Sequence, residues 1–275
     1  MSNLSLQVSI VICTYNRKNL VTRAIDSALA QNEVLLEVIV VDDCSNDGTY
    51  ENLSKSYGDK IKLVKTDMNS GVSIATNEGY RHCEGDYIAL LGDDDYWVDP
   101  LKIAKQLAIM EENPRIGVTG TWWVELRKKN IRAEKKPFLP KGRYFIKERM
   151  LMSGGVICGS TALVSRIAWE AVSGLDEKQL KGTDSDFFRR IVLSGFDVLV
   201  FNDLTTAVDV SHGMRRMTNA EDMVALKINI KSHVNVLRKF FYIWILYPRA
   251  FFYRAKIIFL VYIKIAEIYI SERFT

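Results

Sequence analysis

The sequence predicts an α/β protein built on a doubly wound, mostly parallel sheet. Apolar, β-branched runs with little alternation recur over the first 120 residues, a pattern typical of strands buried on both faces of a parallel sheet. Segments with helical spacing of apolar residues separate these runs, and this alternation indicates right-handed crossover connections. With 275 residues, 48% of them hydrophobic, the chain can form one large domain plus an appendage.

The predicted elements follow one another at short intervals. The strands of the first part cover residues 8–13, 35–41, 61–65 and 87–91, and the helices cover 20–29, 73–82 and a segment opened by Pro100. Residues 122–158 are rich in Lys and Arg and contain Pro137 and Pro140, which favours loops and edge strands. Helices at 166–172 and 184–194 and a strand at 197–201 complete the globular part.

The tail from Lys239 to Ile270 differs in composition, because aromatic and aliphatic residues alternate there with Arg and Lys. No charge-free run reaches the ~18–20 residues that a membrane-spanning helix needs. This mixture is typical of amphipathic helices that lie in a bilayer interface with basic groups on anionic headgroups. A helical pair packed on the domain or on a second subunit is the alternative.

Several classes of protein are disfavoured. A net charge of +4 is too small to indicate nucleic-acid binding, and none of the four cysteines belongs to a Cys-x-x-Cys pair. The first residues have no basic start or apolar stretch of a secretory signal, which together with the cysteines predicts a cytoplasmic protein. Neither Gly-x-Gly-x-x-Gly after the first strand nor a P-loop motif is present, which disfavours dinucleotide-binding and P-loop functions.

Three polar clusters follow predicted strands directly, and we expect them to share one crevice. In open parallel sheets ligands bind outside the carboxyl ends of the strands. The clusters are Thr14, Tyr15 and Asn16; Asp42 and Asp43; and Asp93, Asp94 and Asp95. So many carboxylates repel one another unless a cation compensates them, and oxygen ligands favour Mg²⁺ or Mn²⁺ that also coordinates substrate phosphates.

These residues resemble the family-2 glycosyltransferases of the GT-A fold over Val8 to Phe201. The first strand ends in Thr-Tyr-Asn, and Val40 to Gly48 is similar to the family's Val-Asp-Asp-x-Ser-x-Asp-Gly segment. Further similar segments are Asn69 to Asn77, the metal-binding loop at Gly85 to Trp97, and Gly174 to Arg189.

The resemblance implies a role for each matching position. Asp43, with Thr14 and Asp42, would hold the base and ribose of the nucleotide, which is usually uracil in this family. Asp94 would bind the metal, flanked by Asp93 and Asp95. Asp184 falls where the family keeps its catalytic base. A loose match suggests His212 as a further metal ligand.

Three departures from the family pattern bear on these roles. Gly92 occupies the first Asp position of the usual Asp-x-Asp-Asp, and Thr183 replaces the Glu that commonly precedes the base. Thr76 replaces an Arg commonly found before Asn77, so the diphosphate contact is expected from other arginines: Arg81, Arg215 and Arg216.

Structural alternatives accompany these assignments. Asp42 and Asp43 also suit a helix-capping turn, and Asp184 also suits a helix N-cap. Asp186 is a second candidate for the base, or a solvated first-turn residue. His212 is equally compatible with a surface loop. Trp97 suits stacking on an acceptor sugar or packing beneath the metal loop.

The activity that the resemblance implies is an inverting, metal-dependent transfer of a sugar from a nucleotide diphosphate, most commonly a UDP-sugar, to a saccharide hydroxyl. Residues 1–210 would form the catalytic domain, with a nucleotide and metal half (1–120) and an acceptor and base half (121–210); residues 211–275 would supply a closing loop and the tail. The expected setting is bacterial surface polysaccharide synthesis on a lipid carrier, at the inner face of the cell membrane. A nucleotide-sugar-forming nucleotidyltransferase, a phospho-receiver module and a non-catalytic transferase-like scaffold are the rival functions.

Overall fold

A computed structural model describes residues 7–126, 143–145, 156–179 and 181–211. In the tail it describes helical residues at 228, 230–231, 234–235, 238–239, 252, 255–263 and 265. The predicted site residues His212, Arg215 and Arg216 lie outside the described residues, as do most of the aromatic residues of the tail.

Before the tail, the described residues form nine strands and six α-helices. The strands are β1 (Val8–Thr14), β2 (Leu36–Asp42), β3 (Lys62–Lys65), β4 (Tyr87–Gly92), β5 (Asp95–Trp97), β6 (Ile116–Leu126), β7 (Arg143–Phe145), β8 (Leu163–Ser165) and β9 (Asp197–Asp209). The helices are α1 (Lys18–Leu29), α2 (Thr49–Tyr57), α3 (Val72–Arg81), α4 (Lys102–Glu112), α5 (Arg166–Ala171) and α6 (Thr183–Leu193).

The amino-terminal half of the sheet is parallel, as predicted. Strands β3, β2, β1 and β4 are neighbours in that order, with Val8 opposite both Leu36 and Tyr87. Alternate residues of β1 face opposite sides: Ile10 and Ile12 pack with α1 and α4, whereas Val11 packs with α3 and α6. Helices therefore cover both faces, which explains why the strands lack polar alternation.

The second half of the sheet is mixed rather than parallel. Strand β8 runs antiparallel to β4 and β6, and β9 runs parallel to β6 but antiparallel to β5 and β7. The sequence analysis did not predict β6 (Ile116–Leu126) as a strand, and β9 extends to Asp209, beyond the predicted end at residue 201. The second part of β9, residues 202–209, is polar in sequence, yet Thr205, Thr206 and Asp209 are buried there between β5 and β6. This strand brings its carboxyl end to the edge of the sheet where β1, β2 and β4 also end.

The tail residues that the structure describes are helical. Their second group exposes large apolar side chains: Phe252, Phe259, Leu260, Tyr262 and Ile263 are 40% to 69% exposed. Among the described residues, no helix combines the length and apolarity needed to cross a bilayer.

Candidate active site

The carboxyl ends of β1, β2 and β4 bring the predicted clusters together. Thr14 lies opposite Asp42 in the register of β1 and β2, and the preceding Cys13 lies opposite Gly92 at the end of β4. The backbone amide of Asp43 donates a hydrogen bond to the Thr14 carbonyl over 2.8 Å. The three clusters therefore share one edge of the sheet, as expected from parallel pairing.

Asp43 is oriented by the loop between β3 and α3. Its Oδ1 accepts hydrogen bonds from the Thr66 hydroxyl and the Ser70 amide, both over 2.9 Å, and its Oδ2 accepts one from the Gly71 amide over 2.8 Å. A carboxylate has about four acceptor positions, two on each oxygen, so Oδ2 keeps capacity for a further donor. The loop residues Thr66 and Ser70 were not identified from the sequence, because their role depends on a partner more than 20 residues away.

Asp42 is completely buried beside Asp43. Its Oδ1 accepts a hydrogen bond from the Ser45 amide over 3.1 Å, whereas its Oδ2 has no hydrogen-bond partner within the described part of the chain. Buried carboxylate oxygens in folded proteins almost always have a partner. Asp42 Oδ2 therefore keeps acceptor capacity that a capping turn does not use.

Asn16 connects the loops after β1 and β2. It adopts a positive φ of 51°; its amide donates to Ser45 Oγ over 2.8 Å, and its side-chain oxygen accepts from the Asn46 amide over 2.9 Å. Its neighbour Tyr15 is 40% exposed at the crevice. Asn16 therefore shapes the crevice, while the ring of Tyr15 is accessible to a ligand.

The acidic triplet after β4 surrounds an arginine that the sequence analysis did not assign to the site. Arg17 Nη1 lies 2.7 Å from Asp93 Oδ1 and 3.2 Å from Asp94 Oδ2. Burial raises the pKa of Asp93, and the Asp94 carboxylate raises it further, although Arg17 opposes both effects. One cationic nitrogen thus lies between the two carboxylates, which shows that this position favours positive charge.

Asp95 has a different environment from Asp93 and Asp94. Its Oδ2 accepts a hydrogen bond from the Ser160 hydroxyl, and its Oδ1 accepts one from the Asp209 amide over 3.2 Å. Arg23 Nη2 donates one hydrogen bond to Asp209 Oδ2 over 2.8 Å and another to the backbone carbonyl of Asp94 over 2.9 Å. These contacts make Asp95 a link between the metal loop and the end of β9, and they distinguish it from its two acidic neighbours.

The structure explains the glycine at the first position of the acidic motif. A β-carbon at Gly92 would lie 3.1 Å from Asp95 Oδ2 and 3.2 Å from both Asp94 Oδ1 and Ser160 Oγ. Such distances are shorter than ordinary van der Waals contacts, so a side chain here would require these neighbouring side chains to move by a few tenths of an ångström. The Gly92 amide instead donates to Ser160 Oγ over 3.0 Å.

Within the described residues, no three His, Cys, Asp or Glu side chains converge as a complete metal cage. Mg²⁺ and Mn²⁺ in phosphate-transfer sites need only one or two protein carboxylates, because substrate phosphates and water supply the remaining ligands. Asp93 and Asp94 form such a pair, and their shared contact with the Arg17 cation shows that both can face one positive charge. The donor set therefore fits a divalent cation held jointly with a phosphate ligand.

Asp184 lies in the first turn of α6, after Gly182, which adopts a positive φ of 67°. Its Oδ1 accepts a hydrogen bond from the Ser185 amide over 2.7 Å. A β-carbon added at Gly159 would be 3.9 Å from Asp184 Oδ2, and the next residue, Ser160, contacts the metal loop. Asp184 is therefore close to the acidic triplet, and burial raises the pKa of its carboxyl.

Asp186, the second candidate for the base, is not available for proton transfer in this arrangement. Its side chain is 1% exposed, and its Oδ2 lies 2.8 Å from Arg190 Nε and 3.0 Å from Lys239 Nζ. An enclosed, doubly paired carboxylate cannot meet an acceptor hydroxyl. The geometry favours Asp184.

Two predicted residues lie away from the crevice. Arg81 is in the last turn of α3, next to Glu78, at the end of the helix that leads to the start of β4; the structure does not bring it to the carboxyl edge of the sheet. Trp97 is 5% exposed, its Nε1 donates to the Ser160 carbonyl over 2.8 Å, and Lys102 Nζ lies 4.4 Å from its ring centroid. This placement supports packing beneath the loop and does not support stacking on a sugar.

The fold is similar to that of GT-A glycosyltransferases. Over 84% of this chain and 66% of the other, it is similar to residues 1–349 of Staphylococcus aureus TarS, solved with UDP-GlcNAc, with a TM-score of 0.66 and 18% identity. Over 85% of this chain and 63% of the other, it is similar to a Pyrobaculum calidifontis mannosyltransferase solved with GDP-Man and Mn²⁺, with a TM-score of 0.62 and 18% identity. At these identities the likeness concerns the fold.

The chain belongs to glycosyl transferase family 2, whose model matches residues 9–171, more than half of the sequence. One relative is the Escherichia coli UDP-Glc:α-D-GlcNAc-diphosphoundecaprenol β-1,3-glucosyltransferase WfaP, 34% identical over 118 residues, which cover 43% of this chain and 47% of that one. Three of the curated relatives are matched over 17% to 47% of their own length.

Proposed function

We propose that the protein is an inverting glycosyltransferase that moves a sugar from a nucleotide diphosphate to a hydroxyl of a saccharide acceptor. The observation that carries this proposal is the convergence of Asp93 and Asp94 with the half-buried Asp184 around one crevice. The two functions that such a transfer requires, neutralisation of a leaving diphosphate and removal of a proton, are thereby represented at one site.

The nucleotide would bind where β1 and β2 end. Asp43, fixed by the loop before α3, offers carboxylate oxygens to N–H donors of a base, and uracil is the usual base of this family. Asp42 Oδ2, which has no hydrogen-bond partner within the described residues, would accept a hydrogen bond from a ribose hydroxyl or a base N–H. Thr14 and the exposed ring of Tyr15 border the same space, and Asn16 holds the two loops together.

Asp94, together with Asp93, would hold the divalent cation, Mn²⁺ or Mg²⁺, and the diphosphate would complete its ligands. The Mn²⁺ named with the Pyrobaculum transferase supports this assignment. When bound, the cation would neutralise the negative charge that develops on the departing diphosphate. Arg17 places a second positive charge beside the same carboxylates.

Asp184 would act as the general base. It would accept the proton of the acceptor hydroxyl as the acceptor oxygen bonds to the anomeric carbon and the bond from that carbon to the diphosphate oxygen breaks; the configuration therefore inverts. Burial raises the pKa of Asp184 above that of an ordinary carboxyl, and this change strengthens the base. Its position in the first turn of a packed helix restricts the geometry of attack.

The acceptor would be a lipid-linked saccharide, as in surface polysaccharide synthesis. The name of the Escherichia coli relative specifies a diphosphoundecaprenol acceptor, which supports this class. The exposed apolar residues of the second tail helix would bind the inner face of the cell membrane with the help of tail Arg and Lys residues. Residues 1–210 would then be catalytic and residues 211–275 would serve closure and membrane contact; packing against a second subunit is the alternative for the tail.

The proposal is tested by incubating the purified full chain with UDP-sugars and measuring UDP release with Mn²⁺, with Mg²⁺ and with a chelator. We expect release only with metal. Asp94→Asn should reduce it by at least about a hundredfold, whereas Asp59→Asn, at an exposed position away from the crevice, should leave it unchanged. Failure of every nucleotide diphosphate to raise the unfolding temperature, with or without metal, would favour a non-catalytic scaffold.

A further inference from the structure

A lysine of the tail, Lys239, contacts the globular part of the chain. Lys239 Nζ lies 2.9 Å from Asp176 Oδ2, 3.1 Å from Asp186 Oδ1 and 3.0 Å from Asp186 Oδ2. The side chain of Lys239 is 33% exposed, whereas that of Asp186 is 1% exposed. A charged group of the tail therefore helps to neutralise a carboxylate in the interior of the globular part.

This carboxylate belongs to the same helical turn as the proposed base. Asp186 is the fourth residue of α6 and Asp184 the second. Arg190, one turn further along, contacts Asp186 Oδ2 over 2.8 Å and the Val172 carbonyl over 2.6 Å. The first turn of α6 is thus held from both sides, by Arg190 of its own helix and by Lys239 of the tail.

The second acid of the cluster extends these contacts to α3. Asp176 lies in the loop after α5, and Asn77 of α3 holds this loop: its Nδ2 donates to the Leu175 carbonyl over 3.0 Å, and its Oδ1 accepts from the Leu175 amide over 2.9 Å. A cavity of about 330 Å³ borders the cluster and is lined by residues that include Asn77, Asp176, Arg190 and Lys239. Water in this cavity would reach Asp186 if Lys239 were withdrawn.

We infer that Lys239 is a positioning residue that sets the placement of Asp184 by neutralising Asp186, so that the tail forms part of the active-site architecture. The inference rests on the proposed role of Asp184 as the base. Without Lys239, Asp186 retains Arg190 as its ion-pair partner among the described residues. The two carboxylates of the cluster, Asp176 and Asp186, then have one cation, Arg190, in place of two. Hydration of Asp186 through the cavity would then loosen the first turn of α6. Displacements of about 1 Å at a reacting group cost about a hundredfold in rate.

The test uses full-length Lys239→Met, which removes the charge and keeps the aliphatic stem, and Lys239→Arg, which keeps the charge. Lys60→Met, at an exposed lysine before β3 with no ion pair within the described residues, is the matched control. We expect Lys239→Met to lower kcat for sugar transfer about tenfold, with the donor KM within about twofold of wild type. Lys239→Arg should recover most of kcat, and Lys60→Met should leave it unchanged.

Amide hydrogen exchange supplies a readout that does not need turnover. In Lys239→Met the amides of residues 184–186 should exchange at least about tenfold faster than in wild type, whereas those of β1 should be unaffected. Wild-type exchange and wild-type kcat in Lys239→Met would overturn the inference. If that variant folds poorly, Asp186→Asn combined with Lys239→Met removes the carboxylate together with the lysine that neutralises it, and this double variant should recover most of kcat. A double variant that folds but has lost kcat about tenfold would overturn the inference.

Failure of the proposed function has a different signature. Suppose that wild-type protein transferred no sugar while Lys239→Met still accelerated amide exchange in α6. The stabilisation of α6 by Lys239 would then be supported, and the role of Asp184 as the base would be refuted. If wild-type protein transferred sugar and Lys239→Met had the same kcat and the same amide exchange, the positioning role of Lys239 would be refuted and the transferase function would be supported.

Discussion

Replacing Arg17 with methionine should destabilise the metal loop more than any exposed arginine substitution. The methionine keeps most of the aliphatic stem and removes the cation that lies 2.7 Å from Asp93 Oδ1 and 3.2 Å from Asp94 Oδ2. The two carboxylates would then face each other without that charge. Burial already raises the pKa of Asp93, so its ionised form is costly even when Arg17 is present.

The magnitude follows from the exposure of the three side chains: 19% for Arg17, 9% for Asp93 and 11% for Asp94. Removing one partner of a fully buried ion pair costs ~3–5 kcal/mol. These side chains lie at the border of an open crevice, where solvent screens part of the repulsion, and we therefore expect about 2–3 kcal/mol. For a domain of this size each kcal/mol lowers Tm by ~2–4 °C, so the expected decrease is about 4–12 °C.

The assay is thermal unfolding in the presence of a chelator, followed by titration with Mn²⁺ and UDP. Arg115→Met is the matched control, because Arg115 is 77% exposed and lies 3.6 Å from its partner Asp197; its loss should cost less than about 1 kcal/mol. Mn²⁺ with UDP should narrow the difference between Arg17→Met and wild type, since a bound cation replaces the lost charge. If Arg17→Met unfolded at the same temperature as Arg115→Met, the reasoning would be refuted.

Three further changes test other parts of the site. Asp184→Asn should abolish turnover, and a wild-type rate would refute the assignment of the base. The variant should also raise Tm at neutral pH, because burial raises the folded-state pKa of Asp184 and its ionised form therefore costs stability above that pKa. This increase in Tm should vanish as pH falls below about 4, where the carboxyl is protonated in both the folded and the unfolded state. Ser160→Ala removes the hydroxyl that accepts from the Gly92 amide and donates to Asp95. It should lower the free energy of unfolding, measured by chemical denaturation, by about 1–3 kcal/mol, and an unchanged free energy would contradict this role. Deleting residues 240–275, which leaves Lys239 in place, should release the protein from anionic vesicles in a flotation assay. Unaltered flotation would exclude residues 240–275 as the membrane contact.

The sequence was sufficient to predict the parallel half of the sheet and the convergence of polar residues at its carboxyl edge. Continuous apolar runs separated by helical periodicity allow few arrangements other than a doubly wound sheet. Because the carboxyl ends of parallel strands meet at one edge, the polar residues after β1, β2 and β4 could be expected to converge, and they do. The acidic character of the crevice was evident for the same reason, since Asp42, Asp43 and Asp93 to Asp95 are contiguous with their strands.

Only the tertiary structure decided which of these side chains are exposed to a ligand and which are bound by the protein itself. Asp94 and Asp95 are adjacent in sequence, yet Asp95 is bonded to Ser160 and Asp209, residues 65 and 114 positions away. Arg17 and Lys239 belong to segments whose local sequence shows only a helix start and a basic tail. Their importance arises from carboxylates brought next to them by folding, at sequence separations of 76 and 53 residues. Local patterns determine where strands and helices form; the partners of a charged side chain depend on which distant elements pack beside it, and that information is absent from any short stretch of the chain.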